Sequence, residues 1–272
     1  MSLANIKLGT IQETLLITLW ARAIELNHLN PILIDPKAAD ILSQIDYDFR
    51  KFSQEKNSQI GICIRTKAFD RIVSQFLQVH SQTPVVEIGA GLNTRFERLD
   101  NGSWRWFDLD LPDAIMVRRR FFQESDRRKF ISASVFETEW IKSIKTLINE
   151  PILFVAEGVL FYFTKQQVQS LFAKLAEQFP GSWIVFDTIS PLWLAVQNRI
   201  DAIKHTNAKF LWGIENIKQI ETWNPRYKLC RSLFLPADFP EYLTRFPRME
   251  QILMKLFPGL QRMSGVHLVQ FL

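Results

Sequence analysis

The run Glu87-Ile88-Gly89-Ala90-Gly91 places a carboxylate and two residues without Cβ directly after a short β-branched segment. Glycine reaches backbone conformations closed to other residues and lets a ligand approach the main chain, so a strand ending in such a turn suits a nucleotide-bearing cofactor. A dinucleotide pyrophosphate calls for a third glycine where Thr94 stands in Gly91-Leu92-Asn93-Thr94, and that fingerprint is incomplete. Glu87 would set like charge against phosphates but would attract a cation, which favours a sulfonium-bearing cofactor over a nicotinamide one. Asp110 follows Gly91 by 19 residues, at the end of the next strand, where a carboxylate can accept both hydroxyls of a ribose. Asp108, two residues earlier on the same strand face, is its rival.

Two arginines form a second line. Arg22 falls inside the helical stripe of Ile11, Leu15, Leu19 and Leu26, and Arg65 between Ile72 and Phe76 on another. Inward-facing guanidiniums need anionic partners, either a core Asp or Glu or the carboxylate of an amino-acid-derived ligand. Periodicity leaves both open. Glu157 interrupts the most apolar strand of the chain at its carboxyl end, the edge where ligands of a parallel sheet bind, and Asp187 ends the following strand in a similar position, where it serves either the site or only as a cap of the following turn.

The elements that must position these groups alternate. Helical stripes run from Ile11 to Leu26 and from Ile60 to Val79, with Asp35-Pro36 opening a helix between them and Ser53 to Gln59 read as a polar loop. Strands are expected at Pro84–Ile88, Trp104–Asp110, Lys129–Ala133, Pro151–Ala156 and Ser182–Asp187, with a helix from Pro112 to about Phe122 and a capping box at Thr164-Lys165-Gln166-Gln167. This alternation implies an α/β fold with a parallel, doubly wound sheet. Beyond Pro191 a Trp-rich helical segment to about Ile220 precedes strands at 227–234 and 265–272. The 191–223 stretch is read as a lid or a packing insertion.

Composition narrows the class. The chain has 272 residues, 47% hydrophobic and 22% charged, within the globular range. The apolar stretch from Ile152 to Phe163 is broken by Glu157 and Gly158 and falls short of the ~20 residues of a membrane span. No charged-then-apolar leader opens the sequence, so a cytoplasmic location is expected. A net charge of +5 is a small excess. The basic runs Arg118-Arg119-Arg120 and Arg127-Arg128-Lys129 read as solvated helix ends, so no nucleic-acid or membrane partner is expected. Cys63 and Cys230 read as buried packing residues, and the four histidines have no metal-ligand spacing, so no metal is expected.

Three runs taken in order, Val86 to Phe96, Phe107-Asp108-Leu109-Asp110-Leu111-Pro112 and Phe154 to Tyr162, closely resemble the leucine carboxyl methyltransferase family, most of all its bacterial polyketide-type O-methyltransferase branch. Ala21 to Glu25, Asp35-Pro36 and Ile45 to Phe49 resemble that branch's helical N-terminal region, so the likeness covers nearly the whole chain. The resemblance implies a class I, Rossmann-like methyltransferase fold binding S-adenosylmethionine, as one domain over 1–272 with a helical region at 1–80. It implies that Arg65 holds the methionine carboxylate, Gly89 and Gly91 form the turn beneath it, Asp110 takes the ribose and Glu157 lies near the methionine end. Ser134 and Val135 match the adenine side, and Arg22 fits at a spacing that varies in the family. Asn93 departs from the usual aspartate, keeping the ability to cap the turn but losing a charge. The expected activity is O-methylation of a carboxylate or acidic hydroxyl on a small molecule of secondary metabolism, because no histidine near a motif offers a general base. Tyr162 and 191–223 are expected to line the acceptor pocket. A nicotinamide-dependent oxidoreductase and a non-catalytic cofactor-binding protein are the rival classes.

Overall fold

The computed structural model describes residues 14–197 and 209–272. Seven strands form one sheet in the order β3-β2-β1-β4-β5-β7-β6: β1 (Val85–Ile88), β2 (Trp106–Asp110), β3 (Arg128–Ser132), β4 (Leu153–Ala156), β5 (Trp183–Ile189), β6 (Tyr227–Leu235) and β7 (Ser264–Phe271). The first five are parallel. β7 runs antiparallel to β5, and β6 antiparallel to β7, so the sheet is mixed rather than all-parallel. The order reverses between β1 and β4. That switch point opens a crevice beyond the strands' carboxyl ends, which is where β1, β2 and β4 deliver Gly89, Asp110 and Glu157.

Helices α1 (Thr14–Glu25), α2 (Pro36–Ser43), α3 (Lys56–Val79), α4 (Arg95–Leu99), α5 (Pro112–Arg118), α6 (Glu139–Leu147), α7 (Lys165–Gln178), α8 (Pro191–Ala195) and α9 (Arg248–Leu256) surround the sheet. Successive strand residues face opposite sides. Val86, Phe107, Phe154 and Phe186 therefore pack with α6 and α7, while Val85, Trp106, Leu153 and Val185 pack with α3. The strands are near-continuously apolar because both faces are covered. No helix among the described residues is long and apolar enough to cross a membrane.

The expected strands are all present, shifted by one or two residues at their ends. Several other readings are corrected. The polar residues Lys56 to Gln59 belong to the first turn of α3, whose long helix begins earlier than its apolar stripe. Gln59 is buried there, its amide donating to Glu25. The helix after Pro112 stops at Arg118, and that side chain is drawn inward. Arg118 and Arg128 are not solvated helix ends: both are buried and paired with the fully buried Asp108, at 3.0 and 2.7 Å. Cys63 is buried but Cys230 is exposed. Helices α4, α6 and α9 carry no expectation in the sequence reading. In the 191–223 stretch the described part includes the helix α8 and a 3-10 segment over Ile217–Thr222. Residues 209–216 are tied to the sheet edge through Leu211 N donating to Phe161 O (2.7 Å) and Ile214 N to Ile189 O (2.9 Å). Gly213 passes so close to Ile189 O that a Cβ would lie 2.9 Å from it. The lid expectation falls partly on residues 198–208, outside the described residues, as does Ile11 of the first stripe.

The ring of Phe172 on α7 is fully buried, with centroids 5.2 Å from Phe186 and 5.8 Å from Phe271. Phe172→Ala should lower the unfolding free energy by about 3–5 kcal/mol, read as a shift of the urea midpoint at unchanged slope.

Candidate active site

The chain leaves β1 through Gly89 and Gly91, both at positive φ (67° and 44°). At Gly89 a Cβ would also lie 2.4 Å from Val159 Cγ2, so both the backbone conformation and the space require glycine. Asp110, at the end of β2, pins this turn: Gly91 N donates to its Oδ2 and Leu111 N to its Oδ1, each at 2.7 Å. Each oxygen keeps acceptor capacity for a ligand. Burial raises the Asp110 pKa, against the pull of the two amides. Asp108 is excluded as a rival, since it is committed to Arg118 and Arg128 and does not line the cavity.

Beneath the turn lies a buried ionic cluster centred on Arg95, the first residue of α4. Its guanidinium meets Glu87 of β1, Glu157 beyond β4 and Asp70 of α3, the last at 2.9 Å. Glu157 is saturated: it accepts from Arg95, Arg65 Nε (3.2 Å), Thr66 Oγ1 (2.8 Å) and Asn93 Nδ2 (3.2 Å). Burial pushes its pKa up, but Arg95, Arg65 and Arg22 together bring it down to about 2. Glu87 has one strong partner, and burial outweighs Arg95 to push its pKa up to about 7. Asn93 Oδ1 also accepts from Arg95 N at 2.9 Å, the turn cap expected of it.

Arg65 joins this cluster to the cavity. Its Nη1 lies 3.4 Å from Asp187 Oδ2, and Nη2 has no hydrogen-bond partner among the described residues. Gly158, at φ 72°, gives it room, since a Cβ there would sit 3.1 Å from Nη2. Asp187 Oδ1 accepts from Gly158 N at 2.9 Å. Burial raises its pKa to about 6, so the carboxyl is largely ionised at neutral pH. Arg22 is held otherwise: Nε bonds Asp35 Oδ2 at 3.1 Å, and Nη2 donates to Leu92 O at 2.7 Å. Asp35 Oδ2 also accepts from Thr94 Oγ1 (2.5 Å) and Arg98 Nη1 (2.9 Å), while Oδ1 caps α2 through Ala38 N (3.0 Å). This knot fastens α1 and α2 onto the glycine turn.

A cavity of about 690 Å³ opens over these groups, within the ~300–1,000 Å³ of small-molecule sites. Of the expected site residues, Arg22, Arg65, Gly89, Gly91, Asp110, Ser134, Val135 and Glu157 line it together. Glu87 does not. It is buried below, bound to Arg95, and its expected contact with a ligand is corrected to support through Arg95 and Glu157. Asp187 lines the cavity too, although β5 runs on to Ile189 and so places it inside the strand and not at its end. Among charged lining residues, Arg22 and Arg65 face Asp110, Glu157, Asp187 and Glu250, two cations against four carboxylates, which suits a ligand with net positive charge. Beyond the polar end the walls are apolar and aromatic, with Tyr162, Trp193 and Phe210 among them. His267, which no motif flags, hydrogen-bonds the lining residue Thr188 at 2.9 Å. Burial pushes it down to about 3, so it is neutral.

The family model described as leucine carboxyl methyltransferase matches residues 15–176. The chain is 32% identical over 222 residues to the tetracenomycin polyketide synthesis O-methyltransferase TcmP of Streptomyces glaucescens, covering 81% of this chain and 82% of that protein. It is 25% identical over 255 residues to the S-adenosyl-L-methionine-dependent methyltransferase dpfgK of Gibberella zeae, covering 86% of each. Among solved structures, a putative methyltransferase from Thermobifida fusca shares the fold with a TM-score of 0.58 and 15% identity, over 92% of this chain and 93% of that one.

Removing one member of a buried ion pair strands its partner, so Glu157→Gln should cost about 3–5 kcal/mol at pH 7. The folded-state pKa of Glu157 is depressed from 4.5 to about 2, so its contribution is full above the unfolded value and fades as pH falls through that window. Urea unfolding at pH 7 and pH 3 should show the gap between wild type and variant narrowing by about 2 kcal/mol.

Proposed function

The chain belongs to the leucine carboxyl methyltransferase family, and from that premise we propose that it transfers a methyl group to a carboxylate or acidic hydroxyl of a small molecule. It is an S-adenosylmethionine-dependent methyltransferase. What carries the methyltransferase reading is the convergence of the glycine turn, Asp110 and Arg65 on one cavity whose remaining walls are mostly apolar.

The residues present fit the cofactor. Arg65 Nη2, unpartnered among the described residues, and Arg22 would hold the methionine carboxylate. Asp187 and Glu157 put negative charge at the same end, opposite an ammonium. Gly89 and Gly91 leave the main chain bare beneath the ligand, the spare lone pairs of Asp110 would accept the ribose hydroxyls, and Ser134 and Val135 would border the adenine. When bound, S-adenosylmethionine supplies an activated methyl group on a positively charged sulfur. The chain's own work is then to hold the acceptor oxygen in line and exclude water, positioning that can supply ~7–11 kcal/mol of a barrier.

Protonation chemistry supports an acceptor that arrives already ionised. His267, held down to about 3 by burial, is a weak base and does not line the cavity. Asp187, at about 6, is committed to Gly158 N and Arg65. A carboxylate acceptor needs no proton removed, and an acidic phenol or enol needs little help. The relative at 32% identity is named for polyketide synthesis, which accords with an acceptor from secondary metabolism.

S-adenosylhomocysteine at a hundredfold excess over its Kd should stabilise the protein by about 2.7 kcal/mol, seen as a rise in Tm, whereas NAD should leave Tm unchanged. Asp110→Asn, which keeps one acceptor oxygen but loses the charge, should weaken that binding roughly tenfold. For the acceptor, a methylated product that alkali saponifies marks an ester. Methylation confined to unactivated alcohols would overturn the reading.

A further inference from the structure

Helix α9 carries apolar residues at Met249, Ile252, Leu253 and Leu256, the i, i+3, i+4, i+7 spacing of a helix suited to bury one face. In a globular protein that stripe ordinarily turns to the core. Here it turns to solvent: Met249, Ile252 and Leu256 are 66%, 53% and 66% exposed, and no residue of the helix is buried. Polar contacts hold the other side. Glu250 Oε1 accepts from Asn57 Nδ2 of α3 at 3.1 Å, and Gln251 Nε2 donates to Phe246 O at 2.7 Å, so hydrogen bonds tether α9 and leave its apolar stripe uncovered.

Single exposed apolar side chains are ordinary, whereas a continuous patch marks an interaction surface. This patch reaches the cavity. Leu253 is exposed and also lines it, as does Val196 of α8, and Ser190 N at the start of α8 donates to Met263 O, just beyond α9, at 2.7 Å. The charge beside the stripe has one sign. Arg248 and Lys255, at i and i+7, stand on the same edge of it, exposed and without an ion-pair partner among the described residues. The helix's only carboxylate, Glu250, is turned away to Asn57. A complementary partner is therefore apolar and negatively charged. A second copy of the patch would bring more cations, and a ridge of outward side chains offers no groove for a peptide. An anionic lipid surface supplies both properties and needs no groove.

We propose that α9 docks the cavity mouth on an anionic lipid surface, with Met249, Ile252, Leu256 and Phe257 entering the boundary between headgroups and acyl chains and Arg248 and Lys255 at the phosphates. Such adsorption is reversible and asks for no spanning helix. Its consequence rests on the methyltransferase reading and adds the source of the acceptor: an apolar molecule that partitions into the bilayer enters past Leu253 and Met254 without crossing water. The docking residues take no part in methyl transfer.

The test is co-sedimentation of the full chain with vesicles of phosphatidylcholine alone and of phosphatidylcholine with an equal part of phosphatidylglycerol. The protein should bind the anionic vesicles roughly tenfold or more tightly than the neutral ones, and added salt should release it. Arg248→Gln combined with Lys255→Gln should weaken binding to the anionic vesicles about 25-fold, about fivefold for each cation removed. Leu256→Ser should weaken it roughly ten- to hundredfold. The replaced side chains are exposed, so Tm and the affinity for S-adenosylhomocysteine, measured without vesicles, should stay at the wild-type values. Equal binding to both vesicle types, no binding to either, or variants that bind like the wild type would overturn the docking surface. So would a dimer in lipid-free sedimentation equilibrium that Leu256→Ser dissociates, which would assign the stripe to a second copy. Failure of S-adenosylhomocysteine to bind while vesicle binding persists would instead strike the cofactor reading.

Discussion

A guanidinium excluded from water must be surrounded by negative charge, and at Arg95 that requirement organises everything above it. Its side chain is fully buried and draws Glu87 from β1, Glu157 from beyond β4 and Asp70 from α3 to one point. These elements come from distant parts of the sequence, so the pairing fixes where the carboxyl ends of the two switch-point strands sit relative to α3. A buried pair of this kind is weak evidence for stability, because desolvation offsets much of the attraction. Its consequence is geometric. With Glu157 held from four sides, Arg65 has one fixed anchor, and the cavity wall it forms is set before any ligand arrives.

The same logic repeats nearer the surface in the knot of Arg22, Asp35, Thr94 and Arg98. Thr94 occupies the place of the third glycine in a dinucleotide fingerprint, and here that position points a hydroxyl at Asp35 of the N-terminal region. The residue that breaks the fingerprint is therefore the one that docks the helices covering the turn. Arg118 completes the support from below, donating through Nη1 to the carbonyls of Gly91 (2.7 Å) and Asn93 (3.0 Å). A loop with two glycines at positive φ has little stiffness of its own. Side chains from α1, α5 and β2 supply it.

Much of this was legible because it is local. Strand, glycine turn and strand-end carboxylate follow one another in the chain, and Asp110 could be chosen over Asp108 from its place at the strand terminus. Capping at Asp35 and Thr164 was readable for the same reason. What could not be read depends on pairs formed through space. Nothing near Arg118 or Arg128 announces that both turn inward to Asp108, and a run of arginines looks like a solvated helix end. Glu87 shares the strand with the turn, and its place there points to the ligand, whereas its partner is a guanidinium eight residues on. Asn57 and Glu250 are separated by 193 residues. His267 reaches the cavity only through Thr188 of the neighbouring antiparallel strand. The early end of α3 was masked by a polar first turn whose glutamine is in fact buried against Glu25.

Asn93 shows how one substitution follows from this ionic arrangement. Its Nδ2 lies 3.2 Å from Glu157 Oε2 and donates to it, while its Oδ1 takes the backbone amide of Arg95. An aspartate could keep the second contact, but it would set a second buried carboxylate at hydrogen-bonding distance from the first, where like charges raise one another's pKa. Glu157 stays ionised because Arg95, Arg65 and Arg22 outweigh the effect of its burial. The amide thus retains the turn cap and spares the cluster a repulsion, with Asp187 carrying negative charge on the cavity wall instead. With an amide donor at position 93, Glu157 accepts from Asn93, Arg65 and Arg95 at once.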